Sequence, residues 1–162
     1  MDVTSICLAF ENAAFSKAII GPTWLWPSIE SIHMIAMATL VASISTFDLR
    51  LLGVAMRDVP VSKVGDRLIP ATWAAFGVMI VTGVLLFLPL ANRKYCSNTS
   101  FRIKLVLMAL AGINMTVFHL TSYIHVSEWE RGKTPLAAKI VGTLSVLLWA
   151  GVVIAGRLIG FV

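Results

Sequence analysis

The sequence predicts an all-α fold: a membrane four-helix up-down bundle preceded by a short N-terminal interfacial amphipathic helix. Three observations carry this. Four apolar stretches run approximately over residues 29–52, 69–90, 103–126 and 136–160. Each is long enough to cross a hydrocarbon core of about 30 Å, which takes roughly 20 helical residues. Hydrophobic residues make up 58% of the chain and charged residues only 13%, against about 25% charged in a soluble domain. The connections are short, so the 162 residues leave no room for a second folded domain. The chain 1–162 therefore reads as a single transmembrane domain.

The elements follow in order. Val3, Ile6, Cys7, Phe10 and Ala14 fall on one helical face, with Asp2, Ser5, Glu11, Asn12 and Ser16 largely elsewhere. That spacing predicts an amphipathic helix over 3–18 lying in the membrane interface. Asp2 and Glu11 stand where a signal peptide has its positive region, and the apolar run 6–10 is too short for a signal core. The first span is therefore expected to act as its own insertion signal. Gly21-Pro22 breaks the chain, and Trp24, Trp26 and Pro27 at the mouth of the first span read as an interfacial belt.

Span 1 carries Glu30 and His33 on one face and closes with Asp48 and Arg50. Its small residues Ala38, Ala42, Ser43 and Thr46 are expected where helices touch, as is the Gly156–Gly160 step of span 4. Pro70 is expected at the start of span 2, where its missing N–H is harmless, and Pro89 lies near the end. Span 3 adds Asn114 and His119, with His125 near the surface, and span 4 adds Lys139 and Arg157.

Four spans put both termini on one side, face A, with the loop 91–100; the loops 53–68 and 127–135 lie on face B. Face A has Lys17, Arg93, Lys94, Arg102, Lys104 and Arg157; face B has Arg50, Arg57, Lys63, Arg67, Arg131, Lys133 and Lys139. Basic loops at membrane ends set topology. The long basic segment 50–67 favours a cytoplasmic face B, with both termini outside. The net charge of +5 and isoelectric point near 9.6 are assigned to these loops and not to nucleic-acid binding. Cys7 and Cys96 would both lie outside. A disulfide between them is one reading, permitted by an oxidising compartment; two unrelated cysteines is the other.

Ionisable groups at membrane depth are costly and usually face the bundle interior. Glu30 and Asp48 are eighteen residues apart, as are Lys139 and Arg157, about 27 Å along a helix. Since spans 1 and 4 run antiparallel, Glu30 falls level with Arg157, and Asp48 with Lys139. Two charge pairs are expected, with Asn114 and His119 completing structural polar layers. The alternative is a haem or metal site. His33 and His119 differ in depth by roughly 20 Å, so they do not share a haem. His119 and His125 point to different sides of one helix. What remains is a five-coordinate haem, a His/Met haem, or a haem shared between subunits, haem b being the cofactor considered. Glu30, His33 and Arg157 are its candidate binding residues. Glu30-x-x-His33 also resembles one arm of a carboxylate metal site. The third reading is a transporter or proton path, although no inverted repeat or mid-helix break supports it. No phosphate-binding glycine pattern, cysteine metal motif or nucleophile–base pair points to an enzyme; electron transfer is the most that is expected.

Trp26-Pro27-Ser28-Ile29-Glu30-Ser31-Ile32-His33 and Ser45-Thr46-Phe47-Asp48-Leu49-Arg50-Leu51-Leu52-Gly53 carry a resemblance. So do Leu68-Ile69-Pro70, Thr72-Trp73, Thr82-Gly83, Tyr95, Phe101-Arg102-Ile103-Lys104-Leu105, Gly112-Ile113-Asn114, Phe118-His119, Trp149 and Gly156-Arg157-Leu158-Ile159. The chain resembles an uncharacterised family of small bacterial four-helix integral membrane proteins. The Glu-x-x-His and Asp-Leu-Arg signatures of span 1 are the most specific parts. A weaker likeness runs to four-helix membrane cytochromes b and copper-resistance D-type proteins, and no ligand is carried over from them. The resemblance implies the four-helix topology and the bacterial inner membrane, and no substrate. The expected function is an accessory or anchor subunit of a larger membrane complex, non-catalytic alone. Its partners are then the lipid bilayer and a membrane protein or a second copy. The alternatives are a cytochrome b-like redox subunit using His33 and a small transporter.

Overall fold

The computed structural model describes residues 3–130, 132 and 134–161, the side chain of Val3 excepted. Asp2, Arg131 and Lys133 of the charge assignment lie outside the described residues. Helices α1 (Val3–Asn12) and α2 (Ala14–Ile20) precede α3 (Leu25–Leu51), α4 (Val61–Phe87), α5 (Thr99–Thr121), α6 (Val126–Trp129) and α7 (Leu136–Leu158). Four helical stretches are long and apolar enough to cross a membrane, and the fold is an all-α four-helix bundle.

The single amphipathic helix expected over 3–18 is instead two. Ala13 is extended at φ −58°, ψ 144°, and the Ser16 hydroxyl closes the bend by donating to the Phe10 carbonyl at 2.6 Å. Ile6, Phe10 and Ala14 remain exposed, while Cys7 turns inward and is disulfide-bonded to Cys96. The Glu11 carboxylate accepts from the backbone N–H of Asn92 at 3.0 Å and of Arg93 at 3.2 Å. It also pairs with the Arg93 guanidinium at 2.6 Å. Those N–H groups start the π-helical turn Ala91–Tyr95, and a helix start has free donors that favour an anion. The hairpin α1–α2 is thus fastened to the connection between spans 2 and 3.

Span 1 ends at Gly53, whose φ of 71° is the left-handed C′ geometry glycine adopts without strain; its N–H donates to the Arg50 carbonyl. Span 2 starts at residue 61 rather than 69. Its first turns carry Ser62, Lys63, Asp66 and Arg67 beyond the apolar belt, and Glu130 accepts the Ser62 N–H at 3.1 Å. Pro60, not Pro70, is the residue before the helix. Pro70 lies inside α4 on an exposed side, and membrane helices tolerate such an interruption when other groups re-satisfy the backbone. Asn98 caps span 3, accepting the Phe101 N–H at 3.0 Å.

The packing order differs from a closed square. α3 packs along α4 and α5 along α7, and the two hairpins meet at α3 against α7. Contact between α4 and α5 is marginal, so one corner is open. The small residues meet the expectation in part: Ala38 and Ala42 are exposed, whereas Ser43 is buried and a Cβ on Gly156 would meet Lys104 at 3.3 Å. Between α3 and α7 the backbones come close at Gly142, where a Cβ would stand 3.4 Å from the Asp48 carbonyl oxygen and 3.5 Å from Leu51 Cβ. Gly142→Leu should therefore force α3 and α7 apart. The expected loss is at least the roughly 1–3 kcal/mol of an overpacked core, read by thermal unfolding in detergent with Gly142→Ala as the mild control.

Candidate functional site

The open corner forms an apolar cleft between α4 and α5, with α3 and α7 as its floor. A cavity of about 310 Å³ takes Leu40, Ile44, Trp73, Phe76, Gly112 and Trp149 in its walls. A second, of about 320 Å³, is lined by His33, Met79, Gly83, Phe87, Phe101 and Lys104, and Met108 borders both. Each has the size of a small-molecule pocket.

His33 holds the face-A end. Its Nδ1 lies 2.9 Å from Thr82 Oγ1, and the Thr82 hydroxyl already donates to the Val78 carbonyl at 2.7 Å. Thr82 therefore accepts, Nδ1 carries the hydrogen, and Nε2 keeps the lone pair; this tautomer is assigned from the network. Gly83 gives the ring room, since a Cβ there would lie 3.4 Å from His33 Cε1. Lys104 lies along α7, and a Cβ on Gly156 would stand 3.3 Å from its Nζ.

The expected charge pairs are not formed. The ion pairs among the described residues are Arg93–Glu11 and His125–Glu128. Glu30 and Lys139 are exposed, and the exposed Arg157 guanidinium sits 5.2 Å from the Phe161 ring centroid. Glu30, Lys139 and Arg157 lie on exposed sides of their helices, and the register differs as well. Gly142, not Lys139, meets Asp48, so α7 is offset by about one helical turn from the equal-spacing alignment. Of Glu30, His33 and Arg157, His33 lines the second of these cavities, whereas Glu30 and Arg157 are exposed.

Asp48 and Arg50 part company. Arg50 is buried and donates from Nε to the Val59 carbonyl at 2.6 Å, pinning the face-B loop. Asp48 is 4% exposed and lines a third cavity of about 40 Å³ with Thr72, Asn114, His119 and Ser145. Every span thus contributes a polar side chain. Among the described residues Asp48 Oδ2 has no hydrogen-bond partner. Asn114 ties α5 to α7 by donating to the Val141 carbonyl at 3.1 Å, and His119 Nδ1 lies 2.9 Å from the Met115 carbonyl. Phe47, Phe118 and Tyr123 close the layer on the face-B side, ring centroids 5.8–6.3 Å apart.

The model of a family described as a family of unknown function (DUF6644) matches residues 20–162. The chain belongs to that family. Comparison with curated proteins and with solved structures finds no match. The DUF6644 match takes in all four spans, both cleft cavities and the Asp48 layer, whereas α1, Cys7 and Glu11 lie ahead of it.

In this DUF6644 chain no group of three or more His, Cys, Asp or Glu is gathered for a metal among the described residues. Glu30-x-x-His33 stays a lone arm. His33 and His119 line different cavities, and what stands near His33 for a haem iron is Met79 or Met108. Sequence reasoning missed Thr82, Lys104, Thr72 and Ser145. A hydroxyl in an apolar span usually bonds its own helix, as Thr72 does to Leu68, so nothing in one sequence marks those that also face a cavity, such as Thr72 and Ser145.

Proposed function

We propose that this chain is a non-catalytic accessory subunit of a larger complex in the bacterial inner membrane, and that a transmembrane helix of its partner lies in the corner between α4 and α5. The observation that carries this is the open seam. Three antiparallel helix contacts are made along the bundle and the fourth is left as an apolar cleft facing lipid. Membrane helices associate by close packing and small residues rather than by escape from water. Gly112 lines the cleft with open space where a Cβ would be, which lets an incoming helix approach closely. The Cys7–Cys96 bond supports a periplasmic face A, because disulfides persist in oxidising compartments.

A photoreactive side chain at Trp73 or Thr116, in native membranes, tests the reading. Both cleft positions should cross-link to one and the same integral membrane protein, which stays bound through mild-detergent purification. Ile35 and Ile154, exposed on the outer faces of α3 and α7, should not. Lipid adducts alone, or identical capture from all four positions, would reject it.

A second reading is favoured by one observation, the lone-pair Nε2 of His33 in a cavity that also holds Met79, Met108 and the cation Lys104. A haem held there by His33 and a methionine would supply one-electron transfer, with Lys104 available to a propionate. The oxidised and dithionite-reduced absorption spectra decide it: a Soret band lost in His33→Ala makes this a redox subunit, and a colourless protein from a haem-replete host rejects that.

A further inference from the structure

The cavity at Asp48 has a lining chemistry that the accessory reading does not use. Its polar groups have largely given their hydrogens elsewhere. The Thr72 hydroxyl donates to the Leu68 carbonyl at 2.8 Å. Asn114 gives one amide hydrogen to the Val141 carbonyl, leaving Oδ1 as an acceptor and one N–H as a donor. His119 is engaged through Nδ1 with the Met115 carbonyl, which puts the lone pair on Nε2. Ser145 brings its hydroxyl to the same lining as the Asp48 carboxylate. Asp48 Oδ2 is left buried with no partner among the described residues. The cavity therefore holds one carboxylate among polar groups that are mostly oxygen and nitrogen acceptors.

Such a lining attracts a positive charge. A buried polar atom is normally satisfied by protein or water, and a water can donate to two of these acceptors but does not balance the carboxylate's charge. No Lys or Arg is ion-paired to Asp48 among the described residues. Arg50 is turned to the Val59 carbonyl, Lys139 is exposed, and His119 is the other titratable side chain in the lining. A void of about 40 Å³ holds a sodium-sized ion with one or two waters, a water needing roughly 10–15 Å³ on the same measure. One carboxylate among neutral oxygens balances a single charge, whereas divalent sites usually recruit more carboxylates. Acidic residues within membrane spans characteristically mark ion and proton sites.

We propose that Asp48, Thr72, Asn114 and Ser145 form a binding site for one small monovalent cation of sodium size, at which protons compete for the Asp48 carboxylate. The site borders the cleft, sharing Thr72, His119 and Trp149 with its larger cavity, and sodium binding is read on the purified chain alone, so its failure is distinguishable from failure of the accessory reading.

The test is thermal unfolding of the purified full chain in detergent, with NaCl exchanged against choline chloride at constant ionic strength. A ligand that binds only the folded state raises the melting temperature with its concentration. A rise of about 3–8 °C between 1 and 300 mM sodium is expected, shrinking as pH falls and protons take the carboxylate. Asp48→Asn should abolish the dependence. Ser145→Ala, which leaves the carboxylate in place, should move the half-maximal sodium concentration up about tenfold, the loss of one ligand bond. Glu30→Gln should leave it unchanged. Broadening of the ²³Na resonance by the unmodified chain, absent with Asp48→Asn, reads binding without reference to stability. No sodium dependence and no broadening would overturn the proposal. If a protonated-carboxyl infrared band were then found and lost in Asp48→Asn, the charge would be a proton alone. Equal shifts with choline, or persistence in Asp48→Asn, would also overturn it.

Discussion

Breaking the Cys7–Cys96 bond, by reductant or by Cys7→Ser, is expected to give one of the largest losses of stability of any single change outside the bundle. The two cysteines are 89 residues apart, and closing a loop of that length removes roughly 4–5 kcal/mol of denatured-chain entropy in the loop-closure treatment. Spans 1 and 2 lie within that loop and stay helical in lipid or detergent, so the released freedom is smaller, about 2 kcal/mol. Two-state unfolding with and without dithiothreitol measures it. The hairpin α1–α2 has a second fastening in the Glu11 bonds to Asn92 and Arg93. Glu11→Gln alone should therefore have a minor effect, but in the reduced protein it should release the hairpin, seen as proteolysis ahead of α3. Labelling the reduced thiols from one side of sealed vesicles also reports which side face A occupies. Reaction from the cytoplasmic side would contradict the periplasmic assignment.

Phe118→Ala is expected to destabilise the bundle by about 3–5 kcal/mol, the range for truncating a buried aromatic. Phe118 is 3% exposed and touches the Phe47, Tyr123 and His119 rings at centroid separations of 5.7–5.8 Å. Aromatic pairs of this kind add to the packing lost. The substitution also removes a wall of the Asp48 cavity, so any sodium dependence of unfolding should weaken along with stability. Phe118→Leu, which keeps most of the volume, should cost about 1–2 kcal/mol and retain that dependence. Chemical denaturation of the three proteins, with and without sodium, separates packing from binding.

Length and hydropathy made the four spans legible, because the membrane thickness is a fixed physical ruler. Their ends were less so. Span 2 begins in a polar turn that hydropathy rejects, and it is helical there because Glu130, far along the chain, accepts the Ser62 N–H. The charged residues were recognisable as special but not as to what they do. Equal eighteen-residue spacings suggested Glu30–Arg157 and Asp48–Lys139, yet helix register is set by close packing at Gly142. That offset of about one turn, together with the exposed facing of Glu30, Lys139 and Arg157, leaves both pairs unformed. Asp48 and His33 were singled out for polarity at depth, whereas Lys104, Thr82 and Ser145 acquire their positions from neighbours on other helices. The open corner was not legible at all, since an up-down pattern is equally compatible with a closed square.

The packing order has a consequence for the sequence of events during synthesis. Spans 1 and 2 can pair as soon as both have entered the bilayer, and so can spans 3 and 4. The seam that joins the two hairpins lies between the first span and the last, so nothing locks it until the fourth span is in place. Until then Asp48 lacks Ser145 and Asn114 and is a carboxylate held in hydrocarbon without its cage. A partly inserted chain is thereby distinguishable from a finished one by the state of a single acidic side chain.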